Sequence, residues 1–140
     1  MKYAPRGWNS WDCYGAAVTE KEVRSNAQYM AAHMKNAGYE YVVVDIQWYE
    51  PGSQNNEYHP FADVCIDEFG RLIPAENRFP SSAGGKGFLP LAEFVHSLGL
   101  KFGIHIMRGI PRRAVAENCP VKGTKVTARE IAETASIVYR

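Results

Sequence analysis

The order of apolar and polar positions predicts three short strands. Val42, Val43 and Val44 form an unbroken apolar run, which is typical of a strand covered on both faces in a parallel sheet. The apolar segment 100–107, "LKFGIHIM", predicts another strand, and the stretch that ends just before Trp11 in "APRGWNSWD" predicts an earlier one. The spacing of the three segments leaves room for a helix between each pair.

Helical periodicity and helix-capping residues predict a helix between each pair of strands and a further helix after the third. Two capping boxes of the form T-x-x-E mark helix starts, at Thr19–Glu22 and at Thr127–Glu130. In the first helix, apolar residues then recur at helical spacing until Gly38. A further helix is expected from 88 to 98, closed by Gly99. The apolar faces of both helices would pack on the sheet. These faces consist of Val23, Ala27, Met30, Met34 and Ala37 in the first helix, and of Phe88, Leu91, Val95 and Leu98 in the second.

The connections between these elements are unequal in length. The helix-to-strand turns "NAGYE" and "SLGLK" are short, whereas the segments after the strands are long, above all 49–87. Strands that alternate with helices indicate βαβ units and a parallel α/β sheet. Binding and catalytic sites of such folds lie at the carboxyl ends of the strands, and long loops there are usually functional.

Four side chains with binding chemistry lie at or near the ends of the predicted strands. Trp11 follows the first strand, Asp45 closes the valine run with Trp48 just beyond it, and His105 lies in the third strand. Planar indoles pack against the C–H patch of a pyranose, and a carboxylate accepts strong hydrogen bonds from sugar hydroxyls. The set predicts a carbohydrate site at one edge of the sheet.

Each of these residues also has a purely structural interpretation. Asp45 could cap the next element, Trp11 could belong to the core, and His105 could be a satisfied core histidine. We expect Trp8 to pack rather than bind. Two charged residues also lie near the predicted strand ends, Asp12 after the first strand and Arg108 after the third. For both, ion pairing or loop ordering is the simpler interpretation.

Composition and motif content narrow the function classes. The chain is 46% hydrophobic and 22% charged, as globular domains are, and 16 basic against 15 acidic residues give a net charge of +1. The charges form no basic stripe, which argues against nucleic-acid binding, and no apolar run approaches the roughly 20 residues that cross a membrane. Neither G-x-G-x-x-G nor G-x-x-x-x-G-K-[ST] occurs, and "GGKG" at 84–87 does not follow a strand, so no cofactor is expected.

The cysteine spacing and the N-terminal sequence indicate the cellular compartment in which the chain is expected. Cys13, Cys65 and Cys119 are odd in number and form no C-x-x-C pair, which argues against a disulfide framework and against a metal site. "MKYAPRGWNS" lacks the apolar core of a secretory signal, so the chain as given is expected to be cytoplasmic, with a removed signal as the alternative.

Four motifs occur in a fixed order: "GWNSWD", "YEYVVVDIQW", "DEFGRLIPAENRFPS" and "VHSLGLKFGIH". Together they resemble the start of the α-galactosidase / α-N-acetylgalactosaminidase glycoside hydrolases (family 27, clan D) over about residues 4–110. The resemblance implies a (β/α)8 barrel, of which this chain supplies about three βα units over 1–140, because a full barrel takes about 250 residues. It also implies hydrolysis of terminal α-galactosides with retention, by two aspartates on later strands beyond residue 140, so none of the residues here is assigned to catalysis.

The resemblance assigns roles to some of the same residues. Trp11 matches a tryptophan that lines the galactose pocket, Asp45 matches an aspartate that binds sugar hydroxyls, and His105 stands where many members have a tyrosine. Ile46 replaces a frequent second aspartate, and Gln47 replaces a cysteine that forms a disulfide in secreted members. These departures leave galactose, N-acetylgalactosamine, β-L-arabinopyranose and isomaltose-type glucans as alternatives.

A piece of three βα units leaves its third strand as an open, apolar edge, and such edges invite association. We therefore expect the chain to pair with the remainder of a barrel or with itself, and to be aggregation-prone and inactive on aryl α-galactosides alone. A non-catalytic carbohydrate-binding or interaction module is the rival hypothesis, favoured if no downstream strand ends in carboxylates. A flavodoxin-like nucleotide domain ranks last because the first strand is followed by no phosphate loop.

Overall fold

Three parallel strands form one sheet in the order β1–β2–β3. The computed structural model describes residues 4–135 except 56, 58 and 60. The strands are β1 (Arg6–Asn9), β2 (Tyr39–Val44) and β3 (Lys101–Ile104). Both pairings are parallel, which confirms the predicted α/β organisation with βαβ connections.

Five α-helices occur within the described residues. They are α1 (Trp11–Tyr14), α2 (Glu20–His33), α3 (Leu89–Ser97), α4 (Arg112–Ala116) and α5 (Ala128–Ala135). Both predicted capping boxes form: the backbone N–H groups of Thr19 and Thr127 each donate a 2.7 Å hydrogen bond to the glutamate three residues later. A glutamate side chain thus satisfies an N–H group at each helix start.

The helix-to-strand turns follow the predicted glycines. α2 ends at His33, earlier than expected, and a 3-10 turn at Lys35–Ala37 completes the connection. Gly38 and Gly99 then adopt left-handed φ values of 85° and 72°. Because side chains with a Cβ disfavour this region, the two glycines allow the chain to reverse tightly into β2 and β3.

Helices α2 and α3 cover one face of the sheet. Val42 and Val44 of β2 are fully buried in the main apolar cluster with residues of both helices, among them Val23, Ala27, Met30, Leu91 and Val95. Val43, which alternates to the opposite face, is only half-buried. The prediction that β2 is covered on both faces is therefore confirmed for one face and wrong for the other within the described chain.

The predictions for β3 and the loops need correction. β3 spans Lys101–Ile104 rather than 100–107, so His105 lies directly after the strand and not within it. The loop after it contains α4, which the sequence pattern did not reveal. The long loop 49–87 is not structureless, since it forms an antiparallel bridge between Ile66 and Leu72 and a 3-10 turn at Pro80–Ser82.

The structure also bears on the cysteines, on potential metal ligands and on membrane-spanning helices. Cys13, Cys65 and Cys119 are free thiols. Within the described residues, no cluster of three or more potential metal ligands is found. Among the helices of that part of the chain, none combines the length and apolarity needed to cross a bilayer.

Candidate functional site

The three strands end side by side, and a polar residue follows each strand. Ser10, Asp45 and His105 occupy these positions after β1, β2 and β3. The sheet ladder continues through them, because Ser10 N–H donates to the Val43 carbonyl at 3.0 Å and His105 N–H donates to the Val44 carbonyl at 2.9 Å. Their backbones are thus fixed by the sheet rather than by a mobile loop.

Asp45 lies at the centre of this edge, between residues of the two neighbouring strands. Its backbone N–H donates to the Ser10 hydroxyl oxygen at 2.9 Å, and its Oδ1 accepts a 2.7 Å hydrogen bond from the Ile46 N–H. Its Oδ2 lies 3.0 Å from His105 Nδ1. The side chain retains 15% exposure, so the carboxylate is anchored but still reachable from outside.

Two opposing effects set the charge state of Asp45. Burial raises the pKa of this carboxyl, but hydrogen bonds from the Ile46 N–H and the Asn9 side chain, together with His105, outweigh burial. The pKa therefore lies below its ordinary value, and Asp45 is ionised at neutral pH. The site offers a fixed carboxylate to donors such as hydroxyl groups.

His105 is the exposed member of the pair. Its side chain is 56% exposed, and its backbone carbonyl accepts a 2.8 Å hydrogen bond from the indole Nε1–H of Trp48. Asp45 thus contacts the imidazole at Nδ1, and Trp48 fixes the backbone of the same residue. Nε2 lies on the far side of the ring from Nδ1.

Trp48 does not occupy the position that a sugar-stacking residue requires. It is 3% exposed and packs edge-on against Phe88, with ring centroids 5.1 Å apart. A ring buried in this way has no free face for a ligand, so we correct its expected role from sugar binding to support of His105. The indole N–H, rather than the indole face, connects it to the site.

Trp11 lies at the mouth of the same edge. It is the first residue of α1, is half-buried, and donates its backbone N–H to Asn9 Oδ1 at 2.9 Å. Trp8, one strand position before Asn9, packs against Tyr14 in a T-shaped pair with a centroid distance of 6.2 Å. Both tryptophans are half-buried, and the aromatic contact to Tyr14 agrees with the packing role expected for Trp8, while the role of Trp11 stays a prediction.

Arg78 supports the site from behind and was not singled out in the sequence. Only 5% of it is exposed, and burial lowers its guanidinium pKa to about 10. It donates hydrogen bonds of 2.5 to 2.9 Å to the backbone carbonyl oxygens of Ala16, Val18, Gln47 and Glu50. Arg78 thereby joins the lead-in to α2 to the turn after Asp45.

A second buried polar group stabilises the turn after Asp45. Gln47 adopts a positive φ of 65°, and its side-chain amide donates a 2.8 Å hydrogen bond to Glu50. The second oxygen of the Glu50 carboxylate lies 2.7 Å from His59 Nδ1. The family resemblance implies a disulfide-forming cysteine at this position in secreted members. In this chain the position is held by Gln47, whose side chain is hydrogen-bonded to Glu50.

Comparison with known proteins identifies similar chains. The chain is 65% identical to a family 27 β-L-arabinopyranosidase from Geobacillus stearothermophilus, solved in complex with arabinose, with a TM-score of 0.92 over 98% of this chain and 32% of that one. It is 36% identical to alpha-galactosidase A from Cellvibrio japonicus, over 71% of this chain and 20% of the relative. It is 33% identical to an alpha-galactosidase from Cyamopsis tetragonoloba, over 72% of this chain and 20% of the relative.

The matches cover only part of each related protein. No protein family model matches the chain. The chain spans about a fifth of the curated relatives' length, as the 20% coverage of the Cellvibrio protein shows, and 32% of the solved arabinopyranosidase. The matched part is the N-terminal part of these enzymes.

Proposed function

Because the chain is related in sequence and structure to the N-terminal part of the family 27 glycoside hydrolases, we propose that it forms the sugar-binding wall of such a glycosidase. Residues 1–140 would then be one part of a catalytic barrel domain. The sugar would lie over the carboxyl ends of the three strands, where barrel enzymes bind their substrates.

The contact between Asp45 and His105 is the observation that carries this proposal. An ionised carboxylate and an exposed imidazole stand 3.0 Å apart on adjacent strand ends. Together they can engage neighbouring ring hydroxyls, and hydrogen bonds to an ionised group are about twice as strong as neutral ones. Trp11 would add an apolar surface beside them.

For the sugar, we favour a β-L-arabinopyranoside over an α-galactoside. The two sugars share their ring configuration, but arabinopyranose lacks the exocyclic hydroxymethyl group of galactose. Ile46, directly after Asp45, is aliphatic and offers no hydrogen bond to such a group. One of the solved relatives at 65% identity, named as a β-L-arabinopyranosidase, supports the same choice.

Turnover would need groups from outside this chain. Retaining hydrolysis uses two carboxyl groups about 5 Å apart, one as nucleophile and one as acid/base. The resemblance places both on later strands of the barrel. We therefore expect binding of sugar without hydrolysis when the chain is studied alone.

A calorimetric or NMR titration with L-arabinose, D-galactose and D-glucose tests the proposal. Wild type should bind arabinose more tightly than galactose, and galactose more tightly than glucose. Asp45→Ala should lose about tenfold or more in affinity, since a hydrogen bond to a charged group contributes about 1.5 to 3 kcal/mol. Asp63→Ala is the matched control, because the Asp63 side chain is 92% exposed and its recorded ion pair is with Arg113 rather than with a residue at a strand end. Equal binding by wild type and Asp45→Ala would contradict the proposal.

A further inference from the structure

The hydrogen bond between His105 and Asp45 fixes where the imidazole carries its proton. An ionised carboxylate only accepts hydrogen bonds, so at 3.0 Å from Asp45 Oδ2 the facing Nδ1 must be the protonated nitrogen. The pKa of Asp45 lies below its ordinary value, after hydrogen bonds overcome the effect of burial, so the carboxylate stays ionised at neutral pH. In neutral His105, Nε2 then carries a lone pair and no proton.

The backbone of His105 is fixed by hydrogen bonds at both its carbonyl and its N–H group. The Trp48 indole N–H donates to the His105 carbonyl at 2.8 Å, and His105 N–H donates to the Val44 carbonyl at 2.9 Å. Within the described residues, Asp45 is the titratable group recorded in contact with the imidazole. The His105 side chain is 56% exposed while its Nδ1 faces Asp45, so Nε2 is the ring nitrogen left to meet a ligand at the strand ends.

We infer that the protonation state of His105 sets the direction of its hydrogen bond with a sugar hydroxyl. Its Nε2 accepts a hydrogen bond from the hydroxyl when the imidazole is neutral, and donates one to the hydroxyl oxygen when the imidazole is protonated. This inference rests on the proposed sugar site and specifies how one residue of that site discriminates among ligands. A tyrosine hydroxyl, which related enzymes often carry there, can donate and accept at any pH below its own titration. Histidine makes the polarity of the contact depend on pH.

The first test needs no ligand. Long-range 1H–15N spectra of the labelled chain should show His105 with a protonated Nδ1 and a bare Nε2 above its titration midpoint. His96, an exposed histidine on α3, should show the tautomer mixture of imidazole in water. Asp45→Ala should return His105 to that mixture. A protonated Nε2 in neutral wild-type His105 would overturn the inference.

The second test uses deoxyfluoro analogues of L-arabinose, taken one ring position at a time. Fluorine accepts a hydrogen bond but donates none, so the analogue altered at the His105 contact should bind about two- to tenfold more weakly than arabinose above the His105 midpoint. Below the midpoint, where Nε2–H donates, that deficit should shrink. His105→Asn keeps a donor for Asp45 but has no Nε2, and should abolish the pH dependence, whereas His96→Asn should preserve it.

The outcomes separate the two proposals. If no sugar binds at either pH, the proposed function fails, while the spectra still decide the state of His105. If sugars bind and every analogue keeps a constant deficit across the midpoint, His105 does not read a hydroxyl and the inference fails alone.

Discussion

Arg78 shows how one buried cation can hold several loops. It satisfies four carbonyl oxygens from two segments that lie about 30 and 60 residues away in the chain. Loss of the guanidinium would remove the donor of the Ala16, Val18 and Glu50 carbonyls, whereas the Gln47 carbonyl would still accept the Glu50 N–H at 3.1 Å. Each buried group left unsatisfied costs about 1 to 3 kcal/mol. The site depends on this residue because one of the two segments is the turn directly after Asp45.

We therefore predict that Arg78→Ala lowers the free energy of unfolding by at least about 3 kcal/mol. Urea denaturation followed by circular dichroism measures the change. Arg71→Ala serves as the control: its side chain is 60% exposed and pairs with Asp67, so its loss should cost less than about 1 kcal/mol. Similar losses for both variants would show that Arg78 does not carry the role assigned here.

At the scale of single residues, sequence reasoning predicted adjacency better than accessibility. Parallel strands end at one edge, so Asp45 and His105 could be expected to lie close together before the structure was known. Whether the Trp48 ring pointed outward could not be predicted, because it depends on the positive φ of Gln47 and on the packing of the turn. Arg78 gave no local signal, since its partners are distant in sequence.

At the scale of elements, two glycines on one face of the sheet have opposite surroundings. A Cβ added to Gly7 of β1 would lie 2.7 Å from Tyr41 Cβ and would also collide with the Tyr41 carbonyl oxygen. A Cβ added to Gly103 of β3 would meet only Val43 Cγ2, at an ordinary contact distance of 3.6 Å. The first glycine is required for the close pairing of β1 with β2, and the second is not.

Gly7→Ala should therefore destabilise the chain by about 1 to 3 kcal/mol, as overpacking does. Gly103→Ala should leave stability unchanged or raise it by up to about 1 kcal/mol, because alanine restricts the unfolded chain. Thermal or urea unfolding of the two variants provides the comparison. Equal effects of the two substitutions would contradict the described register of β1 on β2.

The elements that sequence predicted well are those with both periodicity and end signals. The capping box placed the start of α2 closely, although the helix ends at His33 before the predicted Gly38. α3, which is followed by Gly99, was placed closely at both ends. β3 was predicted too long because its apolar pattern continues to Met107, whereas pairing with β2 ends at Ile104. α4 has five residues, too few for a helical period to be recognised.

At the scale of the whole molecule, the third strand leaves apolar residues uncovered. Ile104, the last residue of the edge strand, is 42% exposed, and Ile106, two residues after it, is 62% exposed. The second face of the same sheet is only half-buried. The solved arabinopyranosidase is about three times longer, since this chain covers 32% of it. We propose that this edge contacts the remainder of a barrel, or a second copy when the chain is alone.

Sedimentation of the isolated chain should then show association that increases with concentration. Replacing Ile104 and Ile106 by lysine should weaken it, because charged residues on an edge oppose strand pairing. Leu89→Lys, at a 60% exposed position on α3, is the control and should leave association unchanged. A chain that stays monomeric throughout, or a lysine variant that associates as strongly as wild type, would contradict the proposed edge contact.

The central claim is that the carboxyl ends of the three strands bind sugar, and mapping backbone amide shifts during titration with L-arabinose tests it most directly. The account predicts that the largest shifts occur at Asn9, Trp11, Asp45, Ile46 and His105, which lie at or just after the strand ends. Residues at the opposite ends of the strands, such as Arg6 and Tyr39, should shift little. Shifts centred at those opposite ends, or no saturable shifts at the strand ends, would contradict the claim.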